Sequence, residues 1–157
     1  MGNGSVIRAG EVQRMTAGTG VFHSEFNPSE SEAARLLQIW IMPDRGGHTP
    51  GYEQIMIPEP DKRGRLRLIA SSDGREGSVT INQALDLYAA LLDGDETIDF
   101  DIGLRQKAWL QLARGSVRLN GMKLQPGDGV AVEDEPVLSL SGGKRAEVLL
   151  FVMPRTA

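Results

Sequence analysis

From Thr97 to Met153 apolar residues fall on every second position in short runs, and each run stops at residues that turn a chain. That pattern restricts the region to β-sheet. Ile98, Phe100 and Ile102 alternate with Asp99 and Asp101; Val117 and Leu119 flank Arg118; Ala146, Val148, Leu150 and Val152 mark one face of the last long segment. Gly94-Asp95, Asn120-Gly121, Pro126-Gly127-Asp128-Gly129 and Ser141-Gly142-Gly143 separate the runs. Asn120-Gly121 is the sharpest signal. A type I′ turn needs positive φ at both central residues, which Asn and Gly tolerate best, so a hairpin is predicted between strands near Val117 and Leu124. Short strands at this spacing predict an antiparallel sandwich or barrel.

The first half is less regular. Gln83 to Leu92 fits two periods: Leu85, Tyr88, Leu91 and Leu92 form a helical stripe, while Leu85, Leu87 and Ala89 line one face of a strand. Glu30 to Arg35, after Asn27-Pro28-Ser29, reads as one helical turn or a charged loop. Pro43 to Pro50 and Glu59 to Gly64 read as loops. Leu36 to Met42 reads as an apolar strand in which Trp40 packs into a core, with the lining of a ligand cavity as the alternative.

The chain has 157 residues, two histidines, no cysteine and a formal net charge of −4. Disulfides, thiolate metal sites and thiol redox chemistry are therefore excluded, and a reducing cytoplasm suits the composition. The acidic balance, with no Lys/Arg run, argues against direct nucleic-acid binding. No apolar run approaches the ~20 residues of a membrane-spanning helix.

His23 and Glu25 carry the chemistry. If Val21 to Phe26 is a strand, residues i and i+2 share a face with Cα atoms ~7 Å apart, so an imidazole and a carboxylate converge on one ion. Such a pair suits Fe(II), Mn, Ni or Zn. The bland alternative is two polar side chains on a half-exposed strand. The other histidine, His48, lies in the loop Gly46-Gly47-His48-Thr49-Pro50 and is assigned to solvent rather than to the site. Gly18 and Gly20 lack the G-x-x-x-x-G-K-[ST] pattern of a phosphate loop and are read as backbone freedom before His23. Asp99 and Asp101 read as a solvent face and Glu133-Asp134-Glu135 as a loop, with no paired acid and base beside them.

Four segments in order, Gly10-Glu11-Val12-Gln13-Arg14-Met15-Thr16-Ala17-Gly18-Thr19-Gly20, His23-Ser24-Glu25, Leu37-Gln38-Ile39-Trp40-Ile41 and Pro50-Gly51-Tyr52-Glu53-Gln54, resemble the pirin family of bicupins. Trp109 to Val117, Asn120-Gly121, Pro126-Gly127-Asp128-Gly129 and the strand before Pro154 resemble the second cupin of a pirin. The resemblance implies an all-β, cupin-like double-stranded β-helix: residues 1–60 as the downstream part of an N-terminal cupin and 61–157 as the C-terminal cupin, with the boundary near Pro58 to Gly64 and Gln83 to Leu92 as strand.

It further implies a divalent metal, Fe(II) first and Mn, Ni or Zn as alternatives, held in the family by three histidines and a glutamate. His23 and Glu25 match the downstream His and Glu, and Glu25 is also implied as acceptor of a substrate proton. The upstream His-x-His segment has no counterpart, and Met1 to Ser5 is similar to an internal stretch of a longer pirin. The expectation is therefore a truncated chain with impaired metal binding and little of the quercetin 2,3-dioxygenase activity that the family implies. The partners expected are a flavonol-like small molecule and a second copy of the chain, paired through open sheet edges. The alternative is a non-catalytic protein-interaction module.

Overall fold

The computed structural model describes residues 4–155. The reading of Met1 to Ser5 falls in part on residues 1–3, outside the described residues. In chain order the elements are β1 (Glu11–Thr16), β2 (Gly51–Met56), a single helical turn α1 (Glu59–Lys62), β3 (Arg67–Ser71), β4 (Val79–Thr80), β5 (Asp86–Leu92), β6 (Ile98–Asp101), β7 (Gln106–Leu119), β8 (Met122–Leu124), β9 (Gly129–Val132) and β10 (Val137–Pro154). β1 and β2 form an antiparallel pair; the rest form one sheet in the order β4-β3-β5-β10-β7-β8, with β6 on β10 and β9 on β7.

The two long strands make this sheet fold over. The first part of β10 pairs with β6 and with the end of β7, and its last part pairs with β5 and the start of β7. Between them the register slips at Ser141 to Val148. Gly115 permits the bend: its φ is +75°, and a Cβ there would collide with the carbonyl oxygen of Arg145.

Alternation then sorts side chains into two cores. Ala90, Leu92, Leu110, Leu112, Val117, Leu119, Val148 and Leu150 fill the barrel between its faces. Leu87, Ala89 and Leu149, from the opposite faces of β5 and β10, form a second core with Ile69, Val79 and Ile81. Val12 and Ile55 of the β1–β2 pair and Ile41 pack against that second core.

The strand reading of Gln83 to Leu92 holds over Asp86–Leu92 as β5, whose Leu87 and Ala89 share a core with Leu85 just before it; Gln83 to Leu85 are outside the strand. The hairpin holds as well: Val117 pairs with Leu124, and Asn120 and Gly121 have φ of 46° and 84°.

Three expectations are corrected. Glu59 to Lys62 is a helical turn rather than a loop, because Pro58 and Pro60 sit at its start, where missing N–H groups cost nothing. Val21–Phe26 and Leu36–Met42 are not strands. No other segment of the described residues offers them backbone partners. Trp40 is accordingly 89% exposed instead of packed in a core.

Candidate functional site

β1 leads into the segment that carries the two predicted ligands. After Thr16 the chain turns tightly, with the Gly20 N–H donating to the Ala17 carbonyl at 2.8 Å. Gly18 has φ of +54°, and a Cβ there would strike the backbone carbonyl of His48. The turn therefore packs on the loop before β2. Beyond it, His23 and Glu25 are both exposed and lie on backbone outside any strand. The i, i+2 geometry that would aim both at one ion applies to a strand, so here it is not imposed.

Imidazole and carboxylate are chemically suitable donors for Fe(II), Mn, Ni or Zn. Among the described residues, however, no group of three or more His, Asp or Glu side chains is placed to hold an ion. Residues 4–155 thus supply a donor pair and not a coordination sphere.

His48 lies in its predicted loop, but it is not a freely solvated side chain. Its side chain is 14% exposed, and Nε2 is 2.7 Å from Asp44 Oδ1. That hydrogen bond is the main reason the Asp44 carboxyl sits below its ordinary range. His48 is not brought to His23 and Glu25 as part of a ligand cluster.

Two polar groupings were missed in the sequence. On one face of β1–β2, Gln13 Nε2 donates to the Tyr52 hydroxyl at 2.8 Å, Tyr52 donates to Gln54, and Gln54 Nε2 donates to Glu11 at 2.9 Å. On the other face Arg14 pairs with Glu53, whose second oxygen accepts the Thr80 N–H at 2.7 Å and so ties β2 to β4. The available signal was the pairing of alternate residues between the two strands, Gln13 with Gln54 and Arg14 with Glu53. It appears only once both segments are known to be neighbours.

An apolar groove of about 480 Å³ lies between Leu37 and Ile39 and the outer face of β7 and β10, including Trp109, Leu149, Phe151 and Met153. It is where the unpaired segment rests on the barrel. Among the described residues no helix is long and apolar enough to cross a membrane.

Residues 68–153 match the family described as quercetinase C-terminal cupin domain, and residues 1–41 match the family described as pirin. A quercetin 2,3-dioxygenase of Escherichia coli K12 is 42% identical over 154 residues, covering 98% of this chain and 65% of the relative. The crystal structure of the bacterial pirin YhhW from Escherichia coli in complex with nickel(II) has a TM-score of 0.90 at 41% identity, covering 99% of this chain and 66% of that one. A pirin-like protein of Caulobacter vibrioides is 34% identical over 152 residues, covering 96% of this chain and 65% of its own length. The chain spans about 65% of the length of the curated relatives it matches. Its all-β barrel, the two matched segments and the fold similarity to YhhW have one reading: the chain belongs to the pirin family.

Proposed function

We propose that this protein serves a pirin-type, metal-dependent dioxygenase reaction on a flavonol-like substrate, with His23 and Glu25 as two of the metal's ligands. Residues 1–157 by themselves bind that metal weakly and turn flavonol over slowly. The carrying observation is the donor count: His23 and Glu25 are exposed, and no third donor joins them among the described residues. The name of the 42%-identical relative supports the reaction class, and the nickel in the YhhW crystal supports a divalent ion. When bound, the metal supplies polarisation of substrate and oxygen. The chain's own part is to present the His23 imidazole and the Glu25 carboxylate, the latter also taking a substrate proton. Residues 1–60 are proposed as the downstream part of an N-terminal cupin and 61–157 as the C-terminal cupin, in a cytoplasmic protein.

The test compares bound metal and quercetin turnover, with Fe(II) or Ni(II) added, for the chain, His23→Ala, Glu25→Gln and a version extended upstream by a His-x-His segment. Substoichiometric metal and low activity that rise together on extension, and fall in His23→Ala, are expected. Stoichiometric metal with robust turnover in the unextended chain would overturn the weak-site reading.

A second reading, a non-catalytic interaction module, is favoured by one observation. Phe22, Phe26, Leu36, Trp40 and Met42 are all exposed on backbone outside any strand. Such surface promotes association, and self-pairing into a dimer is the expected form. Light scattering over a wide concentration range tests it; a clean monomer throughout would count against it. Metal-independent folding with no turnover in any version would favour this second reading over the first.

A further inference from the structure

Between the core-facing side of β1–β2 and the segment after β4 lies a polar cleft of about 560 Å³, lined by Arg14, Thr16, Arg45, His48, Thr49 and Asn82. Its walls are tied to one another. Asp44 N–H donates to the Asn82 carbonyl at 2.7 Å, and Gln83 Nε2 donates to the Met42 carbonyl at 2.9 Å, so the loop before β2 is fastened to the chain leading into β5. At its far end the same loop packs on Gly18 through the His48 carbonyl. Gly51 leaves room for Arg14: a Cβ there would stand 3.1 Å from Nη1.

The bonding inside the cleft is one-sided. Arg14 Nη1 and Asn82 Nδ2 each donate to Thr16 Oγ1 at 3.0 Å, which occupies both lone pairs of that hydroxyl. Its O–H remains, and no acceptor among the described residues takes it. Arg14 Nε is buried and likewise has no acceptor. The Arg45 guanidinium, exposed at the rim, makes no hydrogen bond or ion pair among the described residues; the residue acts on Asp44 through its backbone N–H and, from a longer range, its charge. The two neighbouring carboxylates are already engaged, Glu53 with Arg14 and the Thr80 N–H, and Asp44 with His48. What is left over is a set of donors and one unspent guanidinium.

We propose that this cleft binds a small oxyanion, a carboxylate or a phosphate, held by the Arg45 guanidinium and the Thr16 hydroxyl. An acceptor-rich anion satisfies a hydroxyl proton and a guanidinium fork together, and with charge-assisted bonds. Neither His23 nor Glu25 lines the cleft.

The experiment is a titration of the chain, without added metal, with inorganic phosphate and in a second arm with acetate, each against chloride at equal ionic strength. Amide resonances of Thr16, Arg45 and His48 are followed by NMR. Saturable shifts are expected in at least one oxyanion arm, and the stronger arm tells which oxyanion the cleft prefers. Arg45→Gln should weaken that binding about tenfold, as loss of a charge-assisted hydrogen bond does. Thr16→Ser should keep it, Thr16→Val should weaken it, and His23→Ala should leave it unchanged. Because Thr16→Val also removes an acceptor from Arg14 and Asn82, Arg45→Gln carries the decision. Shifts no larger than those with chloride, or an Arg45→Gln chain that titrates like the parent, would overturn the site.

Discussion

The barrel of β5, β7 and β10 and the segment from Val21 to Met42 are both rich in apolar residues, yet they end in opposite conditions. In the barrel, Leu92, Leu110, Leu112, Val148 and Leu150 are fully buried; in the segment, Phe22, Leu36, Trp40 and Met42 face outward. Composition does not separate them. Strand partners do: every strand of the barrel has a neighbour, whereas no strand pairs with Val21 to Met42 among the described residues. An apolar alternation becomes a strand only where another strand accepts its backbone. The predicted ligands lie on the side of the molecule that lacks this support, so strand geometry does not aim them at one ion.

Mutations at matched apolar positions should break this contrast most visibly. Leu150→Ala removes a side chain with no exposed surface and should cost about 2–5 kcal/mol in urea unfolding. Phe22→Ala, fully exposed, should change stability by less than about 0.5 kcal/mol. Equal costs would mean that the segment is packed after all.

The bend that lets β7 and β10 close the barrel comes next. Gly115→Ala places a Cβ against the Arg145 carbonyl at a positive φ, and a loss of about 1–3 kcal/mol is expected from the same unfolding assay. A neutral result would remove the bulge from the account of closure.

A smaller effect is expected at the hairpin. Asn120 has φ of 46°, its Oδ1 accepts the Ser139 N–H at 2.7 Å, and its Nδ2 donates to the Val137 carbonyl at 3.2 Å. Asn120→Ala should cost about 1 kcal/mol; Asn120→Gly keeps the backbone freedom, and the difference between them isolates the side-chain bonds.

The smallest effect concerns pH. Asp44 is lowered below its ordinary value of 3.8 chiefly by the hydrogen bond from His48. Because the folded value is the lower one, the contribution is present above the unfolded value and is lost as pH falls through the folded one. Melting curves of the chain and Asp44→Asn should differ near neutral pH and converge in strong acid. A difference that grows on acidification would reverse the assigned sign.

Much of the barrel was legible because its strands are regular and bounded: Asn120-Gly121 names its own turn, and Val148, Leu150 and Val152 name their own face. Val21 to Phe26 and Leu36 to Met42 carry the same kind of pattern and misled for that reason, since periodicity reports which face is apolar and not whether a partner exists. His23 and Glu25 could be picked out by residue type, but their orientation depended on that missing partner. The cleft at Arg14, Arg45 and Asn82 was not legible, because it joins residues far apart in sequence through the docking of β1–β2 onto β4.

Native-state amide hydrogen exchange on the monomer, at a concentration low enough to suppress association, tests the central contrast most directly. The amides of Leu110, Leu112, Val148 and Leu150 should exchange only through global unfolding, and those of Val21 to Trp40 should exchange near the unprotected rate. Protection of Val21 to Trp40 comparable to that of β10 would contradict the account, because it would show that the ligand-bearing segment is already held by hydrogen bonds.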